Sequence, residues 1–114
     1  MKNHGNRETQ KADKIFSRLI LGYPYAIPCA KCQTNAATDC SHFYERGNSS
    51  VRYNVQNCDP LCRGCHSHFH AHRDEYKMWK LHQLGSKDYM ALQRLAATVV
   101  KREEAIAKFI KSIS

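Results

Sequence analysis

Two short cysteine pairs constrain this chain more than anything else in it. Cys29-Ala-Lys-Cys32 and Cys62-Arg-Gly-Cys65 stand 29 residues apart. Two residues between thiolates let a tight turn aim both sulfurs at one ion. Four such sulfurs make the closed tetrahedral shell of structural Zn2+. A 114-residue chain builds only a modest core, and small cores gain from a staple of this kind. The opening "MKNHGNRETQKADK" is polar and the longest apolar runs span a few residues, as in "LIL". The expectation is a cytoplasmic chain with no membrane span, where paired cysteines read as metal ligands rather than disulfides. Cys40 and Cys58 are left over and read as small buried or half-buried side chains.

The interval between the pairs has the length of a β-hairpin. A first knuckle in a loop, a hairpin, and a second knuckle opening a helix together describe a treble clef. The alternation predicts strands near Thr38–Tyr44 and Val51–Val55, joined by the "ERGNSS" loop. Ahead of this core, residues 1–13 read as a flexible polar arm, and Ile15, Phe16, Leu19 and Ile20 sit at helical spacing up to Gly22. Pro24 and Pro28 bar "YPYAIP" from continuing the helix, leaving it a packing collar or a stacking platform. Helix returns after Cys65 and ends at Gly85. Ser86 then reads as the cap of a long helix from Lys87 to Ile110, with Leu92, Leu95, Val99, Ile106, Phe109 and Ile113 along one stripe. That stripe is either an internal packing face or the seam of a homodimer. The chain thus reads as α+β: an arm and short helix over 1–22, a zinc-stapled core over 23–85, and a C-terminal helix over 86–114.

A formal charge of +8 and a pI near 9.3 point to a polyanionic partner, with DNA the leading candidate. Arg46, Arg52 and Arg63 flank the knuckles as candidate phosphate contacts, since guanidinium groups donate in a planar fork. Lys2, Arg7, Lys11 and Lys14 in the amino-terminal segment would add affinity that falls with salt. His42 lies between the knuckles, and a neutral imidazole there is suited to accept a proton from water near pH 7. His66 and His70 are four apart, so on a helix they share a face and can grip one ion. His68 and His72 form a second such pair, turned towards solvent or a nucleic-acid backbone. Asp39 shares the strand face of Ser41 by period-two alternation and is the natural acidic partner for such an ion.

These elements resemble the HNH, or ββα-metal, nuclease superfamily. The matching residues are "SHF" with His42, Asn57 before the second knuckle, and "LCRGCH" with His66 opening a helix. Over residues 29–82 the segments "CAKC", "SHFYERG", "VRYNVQN" and "LCRGCH" are similar to the NinG/Rap-like phage recombination proteins. Three positions depart from the pattern. Ser41 stands where HNH enzymes usually carry Asp or His, Asn54 where the relatives have an acid, and His66 where they have Asn. The resemblance implies a metal-dependent DNA endonuclease in which His42 is the general base and Asn57 orders the base and its loop. His66 and His70, with Asp39 or Ser41, would hold a catalytic ion (Mg2+, Mn2+, Ni2+ or Zn2+) apart from the structural zinc. The competing readings are a non-catalytic treble-clef module that binds DNA or RNA, and a protein adaptor working through its last helix.

Overall fold

The computed structural model describes residues 3–114, with side chains from Arg7 onward. It comprises helix α1 (Asn3–Ile20), strands β1 (Asp39–His42) and β2 (Cys58–Leu61), and helices α2 (Arg63–Ala71), α3 (Arg73–Leu84), α4 (Ser86–Ala96) and α5 (Arg102–Ser112). The two strands form an antiparallel pair with Ser41 opposite Asp59 and His42 opposite Cys58. Because side chains alternate across a strand, the ribbon has two faces, and helices cover both. Ser41, Asp59 and Leu61 point into a core built with Phe43, Phe69, Tyr76, Tyr89 and Leu92. Cys40 and Cys58 point the other way, into a second core with Ala12, Phe16, Ile106 and Phe109.

Four expectations are corrected. The amino-terminal segment is helical from Asn3 onward, because Thr9, Ala12 and Phe16 recur at helical spacing and bury one stripe. Arg7, Lys11 and Lys14 therefore ride on α1; Lys2 lies outside the described residues. The second strand is Cys58–Leu61 rather than Val51–Val55, which forms turns leading into a 3-10 segment at Val55–Asn57. Val51 is buried, but as a plug in the first core rather than a rung of the ladder. The last helix is two helices: α4 packs with α3, α5 packs with α1, and Val99 in the break is almost wholly exposed. The stripe is thus split, with Leu92 in one core and Ile106 and Phe109 in the other, so no continuous helical seam runs through it. Finally, the helix expected from Cys65 to Gly85 is two, α2 and α3, which break at His72. On the other face Phe16 of α1 packs edge-on against Phe109 of α5, and both share a core with Cys58. Gly22, the predicted helix stop, sits at φ +75, and a Cβ there would meet Ile27 at 2.8 Å.

Candidate metal centre and base

The four knuckle cysteines converge, with their sulfurs all within 4.8 Å of one another. Cys32 Sγ and Cys62 Sγ are 3.9 Å apart, against a tetrahedral edge of about 3.8 Å for Zn–S bonds of about 2.3 Å. The first knuckle is a turn closed by Gln33 N–H donating to Cys29 C=O at 2.9 Å, with Gln33 itself left-handed at φ 59. It is tied to β2 by Ala30 N–H donating to Pro60 C=O at 2.8 Å. The second knuckle caps α2: Cys62 Sγ accepts from Cys65 N–H at 3.4 Å, and Asn35 Nδ2 approaches it at 3.8 Å. Burial alone would raise the Cys29 thiol, but the amides of Cys32, Cys62 and Lys31 outweigh it and hold it at about 6. Burial and the neighbouring sulfurs push Cys65 up to about 12, since a further negative charge in so small a space needs a cation beside it. Sulfur spacing, amide donors and charge all fit a structural zinc.

His42 occupies the opposite face of β1 from the zinc-side core. Its Nε2 lies 3.0 Å from the Arg52 carbonyl, which can only accept, so this nitrogen carries the proton and the neutral ring leaves Nδ1 bare. Burial is the main cause that lowers its pKa; the positive charges of Arg46 and Arg52 add to this, and the Arg52 carbonyl and Asp13 oppose it. The ring is therefore held neutral with one open lone pair. Arg52, expected at the DNA surface, is instead buried. Its Nε and Nη2 donate to Asp13 Oδ1 and Oδ2 at 3.0 and 2.6 Å, and its Nη1 donates to the Arg46 carbonyl at 2.8 Å. It fixes the segment whose carbonyl holds His42. Tyr53 also donates to Asp13, at 3.0 Å.

Asn57 is fully buried and clamps the intervening loop. Its Oδ1 accepts from Tyr44 N–H at 2.8 Å, and its Nδ2 donates to the carbonyls of Tyr44 and Val51 at 3.1 and 3.2 Å. The loop-ordering part of its expected role thus has a geometric basis, and it acts on the strand end beside His42.

Asp39 and His66 come together, with His66 Nδ1 2.8 Å from Asp39 Oδ2. Arg63 also reaches this carboxylate, its Nε at 3.0 Å, while its own side chain is otherwise exposed. Burial alone would raise the Asp39 pKa, but bonds from His66, Arg63 and Thr38 bring it below the usual value. Ser41 does not face this group as a free ligand: it is buried and its hydroxyl is 3.0 Å from Tyr76 Oη. Tyr76 in turn donates to Asp59 at 2.7 Å, and Asp59 also accepts from Lys80 Nζ at 3.0 Å. This wholly buried network draws Ser41 from β1, Asp59 from β2, and Tyr76 and Lys80 from α3, so no local motif spells it out. His68 and His72 are exposed and stacked 4.2 Å apart, with His68 Nε2 3.0 Å from Glu75.

One cavity of about 710 Å3 runs around the open edge of β1 and joins the two faces. It is lined by His42 and Asp13 on one side, where Arg46 pairs with Asp13 at 3.5 Å, and by Asp39, His66 and His70 on the other, with Arg73 also in the lining. Arg73 escaped the sequence reading; it donates to the Phe43 carbonyl and lies over the Tyr76 ring at 5.3 Å. Asp39, His66 and His70 do not bring their ligand atoms into one tight group, so these three share a cavity but not a point. No protein-family model, curated protein or solved structure compared with the chain matches it. What bears on function is therefore the chemistry of the cavity. No described helix is long and apolar enough to cross a membrane.

Proposed function

We propose that this protein is a metal-dependent DNA endonuclease of the HNH type, built on a zinc-stapled treble clef. The observation that carries the reading is His42: a neutral imidazole with its proton pinned on Nε2 and its other nitrogen bare, in a cavity lined by Arg46 and Arg73. His42 accepts the proton of an attacking water, and the arginines hold the phosphate. Asp39 and His66 form a contact pair on the opposite wall, with His70 one turn further along α2. Carboxylate and imidazole suit a divalent ion that completes its shell with phosphate oxygens and water. When bound, such an ion neutralises charge developing on the phosphate and the leaving oxygen. Action on branched or nicked DNA during phage recombination is the narrower form of this proposal, and it rests on the motif resemblance alone.

A specific observation favours a second reading, a non-catalytic nucleic-acid-binding module: Asp39 is already paired with Arg63 as well as His66. Supercoiled plasmid and a four-way junction, each incubated with Mg2+, Mn2+ or Ni2+ beside His42→Ala, separate the two. The nuclease reading expects nicks that His42→Ala loses by at least about 100-fold, the usual range for a general base. Salt-sensitive binding without cleavage of any substrate would establish the second reading instead.

A further inference from the structure

Four of the six cysteines belong to the knuckles, and the remaining two are not scattered. Cys40 Sγ, Cys58 Sγ and a ring nitrogen of His42 all lie within 4.8 Å of one another. The strand register produces this group: His42 is opposite Cys58, and Cys40 is two residues back on the same face. Neither thiol is in a disulfide. We propose that Cys40, Cys58 and His42 form a second, thiophilic metal site, filled by Zn2+ beyond the structural equivalent, and that filling it silences His42 as a base.

Two thiolates and an imidazole are a soft donor set that selects zinc over the oxygen-seeking Mg2+ or Mn2+. Tetrahedral zinc needs donor separations of about 3.5–3.8 Å, so small side-chain rotations close a group already held within 4.8 Å. The two thiolates cancel the charge of the ion, so the partly buried strand face holds no net charge. Cys40 and His42 line the cavity whereas Cys58 is buried behind them, which leaves the fourth position facing the cavity. Whichever ring nitrogen binds, catalysis suffers. Ligation at Nδ1 takes the free lone pair, and ligation at Nε2 breaks the bond to the Arg52 carbonyl. The silencing half rests on the base assigned to His42 above; the binding half does not.

The test is zinc stoichiometry of the full-length protein, titrated against a chromophoric chelator, with Co2+ substitution as a second readout. Wild type is expected to take up two equivalents, the second weaker, and the second Co2+ to add sulfur-to-metal charge-transfer absorbance. Cys40→Ser and Cys58→Ser are each expected to fall to one equivalent; retention of that equivalent and an unchanged circular-dichroism spectrum report that the variant is folded. Uptake of a single equivalent by wild type, or a second equivalent that persists in both folded variants, overturns the site. So does loss of the second equivalent in His68→Ala with its retention in Cys40→Ser, because the exposed His68–His72–Glu75 group would then be the binder. In a Mg2+ cleavage assay, the second equivalent of Zn2+ should suppress wild type at least about tenfold and spare Cys40→Ser. Equal suppression of both overturns the silencing half. If wild type cleaves nothing, the nuclease reading fails while the stoichiometry still decides the metal site.

Discussion

Replacing Asp13 by Asn tests whether the first helix holds in place the loop whose Arg52 carbonyl contacts His42. Asp13 sits on α1, and its carboxylate receives both Nε and Nη2 of Arg52, at 3.0 and 2.6 Å. Only 11% of the Arg52 side chain and 18% of the Asp13 side chain are exposed, so solvent screens the pair little. Breaking a buried pair from one side costs about 3–5 kcal/mol, because the partner charge stays buried without its counterion. The residual exposure and the amide oxygen of Asn argue for the low end, about 3 kcal/mol. For a chain of this size that lowers Tm by roughly 10 °C. Urea denaturation of the zinc-loaded protein at pH 7.5 measures it, and a double-mutant cycle with Arg52→Met separates pairing from packing. The double variant should lose less than the two single losses together, with a coupling of about 1.5 kcal/mol or more. Asp13→Asn unfolding within about 0.5 kcal/mol of wild type, the range of an ordinary surface change, would refute the reasoning.

Further outcomes follow from other contacts. Asn57→Ala strands Tyr44 N–H and the carbonyls of Tyr44 and Val51 in the interior, and should cost about 3 kcal/mol in denaturant unfolding, with a loss near that of a surface change counting against the clamp. His42 has a folded pKa below 6.5, so the folded state binds fewer protons and stability should fall as pH drops through about 6.5; His42→Gln should lack that slope. The acid limb of kcat/KM should likewise lie below pH 6.5 and move up in Arg46→Ala, whose charge helps depress His42; a limb that stays put would remove Arg46 from the account. Stripping zinc with a strong chelator, or Cys29→Ser, should abolish cooperative thermal unfolding, because the knuckles tie the 29–35 turn to β2 and α2; an unchanged transition would make the cysteines dispensable to the fold.

The four-cysteine cluster was legible in the sequence because its signal is local: ligand spacing within each knuckle is set by turn geometry, and the two knuckles are alike. The Asp39–His66 contact was also within reach, as one strand residue and the first turn of the following helix. The second strand was not. "VRYNV" alternates and is β-branched, yet Asn57 draws the chain into a clamp over Val51 and Tyr44, and the ladder forms instead on "CDPL". Pro60 argued against a strand there, but with only two strands β2 keeps one edge free of the ladder, where a missing amide is tolerated. The helical amino terminus was hidden for a different reason: its buried residues ahead of Phe16 are Thr9 and Ala12, too small and polar to register as an apolar face.

The two faces of β1 explain why the arrangement of Asp39, Ser41 and His42 could not be read from motif spacing. Alternation sends Asp39 and Ser41 towards α2 and α3, and Cys40 and His42 towards α1. His42 on one face and Asp39 on the other therefore cannot meet across the sheet. They meet only around its open edge, and β1 has that edge because nothing beyond it adds a third strand among the described residues. On the His42 face the covering segment is α1, which supplies Asp13 and Phe16 to the cavity wall. Loss of α1 would thus expose Phe109 and unpair Arg52 together, and the carbonyl that orients His42 would lose its support. On this geometry the first helix is part of the cavity wall beside His42, and its removal should abolish any cleavage that depends on His42 even where the cysteine knuckles remain folded.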